Sequence, residues 1–291
     1  MTARLIDGTA IARSLKESIQ QRITEHMAQG LRAPCLAVVL VGGDPASEIY
    51  VGHKKKACAA VGIKSHALHL PENISQDALA EELTKLNSDN EIDGILLQLP
   101  LPKHLDSRAA IDLISPEKDV DGLTPFNQGL IPWKRRGMIP CTPSGVMELI
   151  RTTGVDLRGA RAVVIGRSVL VGAPLASLLG HKGATVTSLN SSTVSPAEHC
   201  RQADVLVAAA GAKRLVKGSW VKPGAVVIDV GMHRDQGKLC GDVDFDEVSK
   251  VASWITPVPG GVGPMTIAYL LSNCLEAFEK SHGIFKGSVQ L

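Results

Sequence analysis

Three observations predict an α/β fold of two three-layer domains with a cleft between them. Short apolar runs, among them Cys35–Val41, Asp93–Leu99 and Ala162–Ile165, alternate with helical stretches, the pattern of parallel sheets covered by helices. Hydrophobic residues make up 44% of the chain and aromatic ones only 3%, so the core has to be built from Val, Leu, Ile and Ala. A chain of 291 residues has room for two domains, and the loop-rich stretch 122–141, with Gly129, Pro132, Gly137 and Pro140, separates the halves. The expected division is 1–140, completed by a C-terminal segment 265–291, and 141–264.

In chain order, Asp7 caps a helix running to Gln29, with Ile11, Leu15, Ile19, Ile23 and Met27 as its apolar stripe and Gly30 as its end. Cys35–Val41 is a strand. Gly42-Gly43-Asp44-Pro45 then turns into a helix over 46–61, with Asp44 at the cap and Pro45 at the first helical position. A strand over 64–70 precedes a helix capped by Ser75, and Asp93–Leu99 is a strand closed by Pro100-Leu101-Pro102. A helix over 106–114 leads into the loop Ser115–Gly122, and Thr142-Pro143 starts a helix reaching Thr153. Strands are expected at 162–165, 184–189, 204–208 and 225–230, then a turn at Gly231 and a segment around Gly241-Asp242-Val243. A last helix, Met265 to Lys280, is long enough to pack back on the first domain.

The stretch 161–191 is the most informative. Its apolar strand runs into a turn bracketed by Gly166 and Gly172; a helix with small side chains, ended by Gly183, leads to a second strand. Such a βαβ unit aims backbone N–H groups and a helix N-terminus at a phosphate, which makes the second domain Rossmann-like and dinucleotide-binding. The spacing Gly-x5-Gly is not G-x-G-x-x-G, so the glycines alone say little. An NAD site carries an acid at the end of the second strand for the ribose 2′-OH. Here that end reads Ser188-Leu189-Asn190-Ser191-Ser192-Thr193, while Arg167 and Ser168 occupy the turn. A guanidinium and hydroxyls with no carboxylate suit a 2′-phosphate, and the cofactor read from them is NADP.

A net charge of +2 gives no push toward nucleic acid or membranes. Six cysteines without a C-x-x-C pair suit reduced core thiols in a cytoplasmic protein. The polar N-terminus does not resemble a signal peptide, and no apolar run approaches the roughly 18 residues of a membrane span. The nine histidines show no ligand spacing, His66 and His69 included, so no metal site is expected.

Tyr50 and Lys54 stand at i, i+4 on one helix face. They fit either a surface tyrosine beside the basic run Lys54-Lys55-Lys56 or a functional pair. In the second case, Lys54 set against the apolar wall Ile95-Leu96-Leu97-Gln98-Leu99 would have its charged form desolvated and become a proton carrier. Gln98 is the odd residue of that wall, at the strand end where α/β sites gather. Asp119 and Asp121 are either turn formers or, for Asp121 beside Gly122, a carboxylate placed to grip an amidine-like heterocycle. The run Pro259-Gly260-Gly261-Val262-Gly263-Pro264 is a rigid turn or a backbone approach to a flat ligand.

Tyr50-x-x-x-Lys54, Leu97-Gln-Leu-Pro-Leu-Pro102, Pro116-Glu-Lys-Asp-Val-Asp-Gly122, Pro140-Cys-Thr-Pro143, Val164-Ile-Gly-Arg-Ser168 and Thr256-Pro-Val-Pro-Gly-Gly-Val-Gly-Pro-Met-Thr266 stand in an order that spans nearly the whole chain. The sequence thereby closely resembles the bifunctional methylenetetrahydrofolate dehydrogenase/methenyltetrahydrofolate cyclohydrolase family. The resemblance implies NADP-dependent oxidation of 5,10-methylenetetrahydrofolate and hydrolysis of the methenyl product to 10-formyltetrahydrofolate. It makes Lys54 the proton-transfer residue, with Tyr50 and Gln98 positioning and tuning it and Asp121 holding the pterin. It also implies folate contacts at Leu99, Pro259, Gly260, Gly261 and Thr266, and cofactor contacts at Gly166, Arg167, Ser168, Gly172, Ser191 and the backbone near Met232. Many relatives have His where this chain has Asn190, a departure at the 2′-phosphate grip. The chain, ending at Leu291, is expected to lack the formate-ligase domain of longer relatives. A homodimer is expected from the resemblance and from aliphatic strands of the second domain. The alternative function is a non-catalytic NADP-sensing module.

Overall fold

The computed structural model describes residues 2–285, with the side chains of 45–47, 49 and 50 in a helix left outside the described set. The elements run β1 (Arg4–Leu5), α1 (Gly8–Ala28), β2 (Cys35–Val41), α2 (Pro45–Val61), β3 (Lys64–Leu70), α3 (Gln76–Ser88), β4 (Gly94–Leu97), α4 (Ser107–Asp112), α5 (Pro125–Leu130), α6 (Cys141–Thr152) and β5 (Arg161–Ile165). They continue with α7 (Gly172–His181), β6 (Thr185–Leu189), α8 (Pro196–Cys200), β7 (Val205–Ala208), β8 (Val226–Asp229), β9 (His233–Asp235), β10 (Lys238–Cys240), α9 (Phe245–Val248), β11 (Trp254–Ile255) and α10 (Val262–Ser281). Two compact units emerge among the described residues, one of 14–141 and 267–285, the other of 2–13 and 142–266.

The first of these units is built on a parallel three-stranded sheet in the order β3-β2-β4. Strand alternation sends Leu36, Val38 and Leu96 to one face, where they meet Ile19 and Ile23 of α1, Cys58 and Val61 of α2, and Leu271, Leu275 and Phe278 of α10. Ala37, Val39, Ile95 and Leu97 point the other way, onto Leu79, Leu83 and Leu86 of α3. Both sides of β2 are therefore buried, which is why its seven residues carry no polar side chain. The caps follow the sequence: Ser75 accepts a hydrogen bond from the Ala78 N–H at 3.2 Å, and Asp106 accepts from Arg108 and Ala109.

The second unit carries six parallel strands in the order β1-β11-β8-β7-β5-β6. The chain leaves β5 to one side for β6 and then crosses to the other side for β7. The C-terminal ends of β5 and β7 thus flank the topological switch point, where open α/β sheets bind ligands. Residues 2–13 group with this unit and not with the expected 1–140, because Arg4 and Leu5 pair in parallel with Trp254 and Ile255 at the sheet edge. The stretch 122–141, expected to be loop-rich, contains the short helix α5, whose cap Thr124 accepts from the Asn127 N–H. The six cysteines are unbridged, and five of them are buried. No described helix is long and apolar enough to cross a membrane.

Candidate active site

In the unit built on β2, helix α2 presents Lys54, one turn before the buried Cys58, to the C-terminal end of β4. Lys54 Nζ donates to Gln98 Oε1 at 2.8 Å. The Gln98 amide is itself fixed, since Nε2 donates to the Leu99 carbonyl at 2.6 Å and the backbone N–H donates to the Val39 carbonyl at 2.9 Å. Its oxygen therefore faces the lysine. Burial pushes the Lys54 ammonium below the ordinary lysine value, and the negative charge of Asp121 opposes that shift. Tyr50 lies on the same helix, with its side chain outside the described residues.

Asp121 is delivered by a loop that its neighbour Asp119 organises. The buried Asp119 carboxylate accepts from the Leu123 N–H at 3.0 Å, the Thr124 N–H at 2.8 Å and Asn127 Nδ2 at 2.9 Å. Ile95 N–H donates to the Lys118 carbonyl at 2.7 Å, which fastens the loop beside β4. Asn273 of α10 donates to the Val120 and Ile139 carbonyls, and the Cys141 thiol donates to the Val120 carbonyl. Desolvation raises the Asp121 carboxyl above the usual carboxylate range, with Lys54 pulling it back. Burial pushes the adjoining Cys141 thiol well up, so it stays a neutral donor. Sequence reasoning singled out Lys54, Gln98 and Asp121, which the structure brings together, but passed over Cys141 and Asn273. The Pro140-Cys141-Thr142-Pro143 motif was the one signal for the thiol, and a lone asparagine in a helix gives none.

In the other unit, Gly166 follows β5 with φ +110°, and a Cβ there would stand 2.1 Å from the Ala209 carbonyl oxygen. A Cβ on Gly172 would lie 2.0 Å from the Gly166 carbonyl oxygen. The turn is thus drawn tightly onto the first residues of α7, whose N-terminus has no side-chain cap. Ser168 Oγ accepts from the Val171 N–H at 3.2 Å, and the Arg167 side chain is exposed beside it. Asn190 Oδ1 accepts from the Ser192 N–H at 2.9 Å beyond β6, leaving Ser191 exposed. Met232, after β8, is half exposed. The Gly172 N–H at the helix start, backbone pressed close, and a guanidinium and hydroxyls nearby are features of a phosphate cradle, while the Ala173 N–H donates to the Ser168 carbonyl at 3.0 Å. They fit a dinucleotide. The loop before α10 is anchored by Thr9 N–H donating to the Gly260 carbonyl at 3.0 Å, while Thr266 and Thr142 share a hydroxyl hydrogen bond of 2.9 Å. Pro259 is exposed and Gly261 buried. Among the described residues no cluster of three or more His, Cys, Asp or Glu is placed to hold a metal ion.

Residues 6–121 match the family described as tetrahydrofolate dehydrogenase/cyclohydrolase, catalytic domain, and residues 140–282 match its NAD(P)-binding domain. The chain belongs to the tetrahydrofolate dehydrogenase/cyclohydrolase family. A bifunctional methylenetetrahydrofolate dehydrogenase/cyclohydrolase from Campylobacter jejuni is 45% identical over 96% of this chain and 99% of its own, with a TM-score of 0.94. The enzyme of the same name from Trypanosoma brucei, solved with NADP cofactor and an inhibitor, is 42% identical over 97% and 99%, with a TM-score of 0.93. A 5,10-methylenetetrahydrofolate dehydrogenase from the silkworm Bombyx mori is 41% identical over 97% and 99%, with a TM-score of 0.91. The matched catalytic domain covers Lys54, Gln98 and Asp121, and the matched NAD(P)-binding domain covers the turn between Gly166 and Gly172.

Proposed function

We propose that this chain oxidises 5,10-methylenetetrahydrofolate with NADP and hydrolyses the resulting methenyl cation to 10-formyltetrahydrofolate. The observation that carries the reading is the half-buried Lys54 ammonium held on the Gln98 oxygen, with Asp121 within electrostatic reach. NADP, when bound, accepts the hydride from the methylene carbon. The nitrogen lone pairs of the substrate stabilise the cation left behind, so oxidation asks for placement more than for a base.

Hydrolysis asks for proton traffic. Positive charge on the methenyl carbon beside Lys54 favours the neutral amine, reinforcing what burial has begun. Neutral Nζ takes a proton from the attacking water as the C–O bond forms, and returns it to the ring nitrogen as the C–N bond breaks, while the remaining hydroxyl proton leaves to solvent as the formyl C=O forms. Gln98 keeps Nζ oriented through both transfers, and the Asp121 carboxylate accepts paired hydrogen bonds from the pterin. Folate contacts from Tyr50, Leu99 and the loop of Pro259, Gly260, Gly261 and Thr266 belong to the same reading. The backbone at Gly166 and Gly172 with Ser168 would hold the phosphates of NADP, Arg167 and Ser191 its 2′-phosphate, and the segment near Met232 its nicotinamide half. A sensing module would give no reason to bury a lysine on a fixed amide.

The test is an absorbance assay of methenyl formation from methylenetetrahydrofolate with NADP or NAD. Reduction of NADP in preference to NAD is expected, and no reduction of either would sink the proposal. Replacing Arg167 by serine should cut the preference for NADP by about tenfold or more, since a charge-assisted phosphate contact is worth roughly 1.5–3 kcal/mol. An unchanged NADP/NAD ratio in that variant would move the 2′-phosphate elsewhere. The working form is a homodimer in the cytoplasm, supported by the family and by the outer position of β6 in its sheet. Light scattering should return twice the 30.7 kDa chain mass, and a monomer mass at assay concentration would refute it.

A further inference from the structure

In the dinucleotide-binding unit a second group of buried charges lies outside the site residues given above. Asp242 follows the β9-β10 hairpin and is fully buried. Its Oδ2 accepts from the backbone N–H groups of Ala210 at 2.6 Å and Gly211 at 2.9 Å, just past β7. Its Oδ1 is 2.7 Å from His233 Nε2, in the strand that follows Gly231 and Met232. A carboxylate can only accept, so Nε2 carries the proton. Asp229, at the end of β8, underlies this arrangement by accepting from the N–H groups of Gly231 at 3.0 Å, Asp242 at 2.9 Å and Val243 at 3.0 Å. Burial raises the Asp229 carboxyl to about 6. Six donors thus satisfy two buried carboxyl groups, an outlay a plain turn would not require.

The placement decides the role. The 209–211 segment presses on Gly166 at the switch point, and 231–233 leaves the end of the neighbouring strand β8. One carboxylate therefore ties together the two strand-end segments that border the cofactor region, without belonging to the phosphate turn itself. We infer that Asp242, through His233, is a positioning residue for the dinucleotide, fixing the spacing between the 209–211 and 231–233 segments that receive it. This rests on the NADP reading given above. His233 Nε2 fixes one side of the span and the Ala210 and Gly211 N–H groups the other, so losing His233 frees the 231–233 side while the Asp242 carboxylate still holds the 209–211 side.

The experiment uses the two activities of the full chain as separate readouts. Hydrolysis of methenyltetrahydrofolate consumes only water, and its proton-transfer residues Lys54, Gln98 and Asp121 lie in the other unit, so it reports folding without the cofactor. In His233→Ala, the KM for NADP should rise at least tenfold with hydrolysis within twofold of wild type, and His233→Gln, which keeps a donor for Oδ1, should recover most of the loss. Asp242→Ala should show a larger rise in KM, since the 209–211 side is released as well. An NADP KM unchanged in His233→Ala overturns the inference. Equal loss of both activities in His233→Ala, without recovery in His233→Gln, overturns it too and makes the pair purely structural. Wild-type protein unable to reduce NADP at all would instead defeat the underlying functional reading.

Discussion

Lys54→Ala is expected to lose hydrolysis of methenyltetrahydrofolate by about 10²–10⁴-fold, the usual contribution of a positioned proton carrier. Dehydrogenation should fall far less, because the cation is stabilised by its own nitrogens. Lys54→Arg separates charge from proton transfer. The guanidinium keeps the positive charge but holds its proton across the working pH range, so this variant should hydrolyse no better than the alanine one. The pH profile carries a second signature. Because burial lowers the lysine's affinity for its proton, the neutral amine appears at lower pH than in free lysine. Hydrolysis by the wild type should therefore rise with pH and level off below the ordinary lysine value, and the rise should vanish in Lys54→Ala. Stopped-flow absorbance of methenyl decay gives both quantities. Wild-type hydrolysis retained in Lys54→Arg would remove the lysine from proton transfer.

The same burial has a cost in stability. A lysine whose folded-state affinity for protons is lowered destabilises the fold at pH values below its folded pKa, and the penalty disappears as pH rises toward the ordinary value. On the proposed reading, this penalty, with Gln98 turned to meet the ammonium, is what a proton-transfer lysine accepts and a surface one does not.

The parts of the fold legible from sequence were those set by local pattern. β2, β4 and β7 are continuous apolar runs, and β5 and β8 are so apart from Arg161 and Asp229 at their ends, because both faces of each sheet are covered; helix caps such as Ser75 and Asp106 bond as their residue types suggest. What escaped was set by tertiary pairing. Arg4-Leu5 and Trp254-Ile255 are two-residue strands with no periodicity, made strands only by each other and by β8. The β9-β10 hairpin turns at Gln236 and Gly237, both with positive φ, between residues too polar to read as strand. α5 escaped although Thr124-Pro125 carries an ordinary start signal, because the surrounding glycines and prolines outweighed it. At the candidate site, Gln98 stood out as a polar residue in an apolar wall, Lys54 as the partner of Tyr50 at i, i+4, and Asp121 as an acid beside Gly122. Asp242 was not, since nothing local separates a loop acid that will be buried from one that will be solvated.

Gly172→Ala tests the cofactor cradle with a single methyl group. The added Cβ would lie 2.0 Å from the Gly166 carbonyl oxygen and 2.9 Å from the Arg167 Cα, backbone atoms on a turn that has no flexible side chain to yield. The turn must open, at a cost of about 1–3 kcal/mol for forced overpacking, and the Gly172 N–H at the start of α7 moves away from a phosphate held on the turn. Binding of NADPH, followed by its fluorescence, should weaken by about 10²-fold or more, because each lost charge-assisted hydrogen bond removes roughly 1.5–3 kcal/mol. Gly166→Ala meets the Ala209 carbonyl at 2.1 Å with φ +110° and should do the same. Hydrolysis should survive in both, since Lys54, Gln98 and Asp121 sit on the other unit with its own core. NADPH binding within threefold of wild type in Gly172→Ala would mean that the phosphates do not rest on this turn. Loss of binding with hydrolysis intact would place the cofactor on the β5–α7 turn and the proton chemistry on the β4 end, two functions held by two separately packed cores.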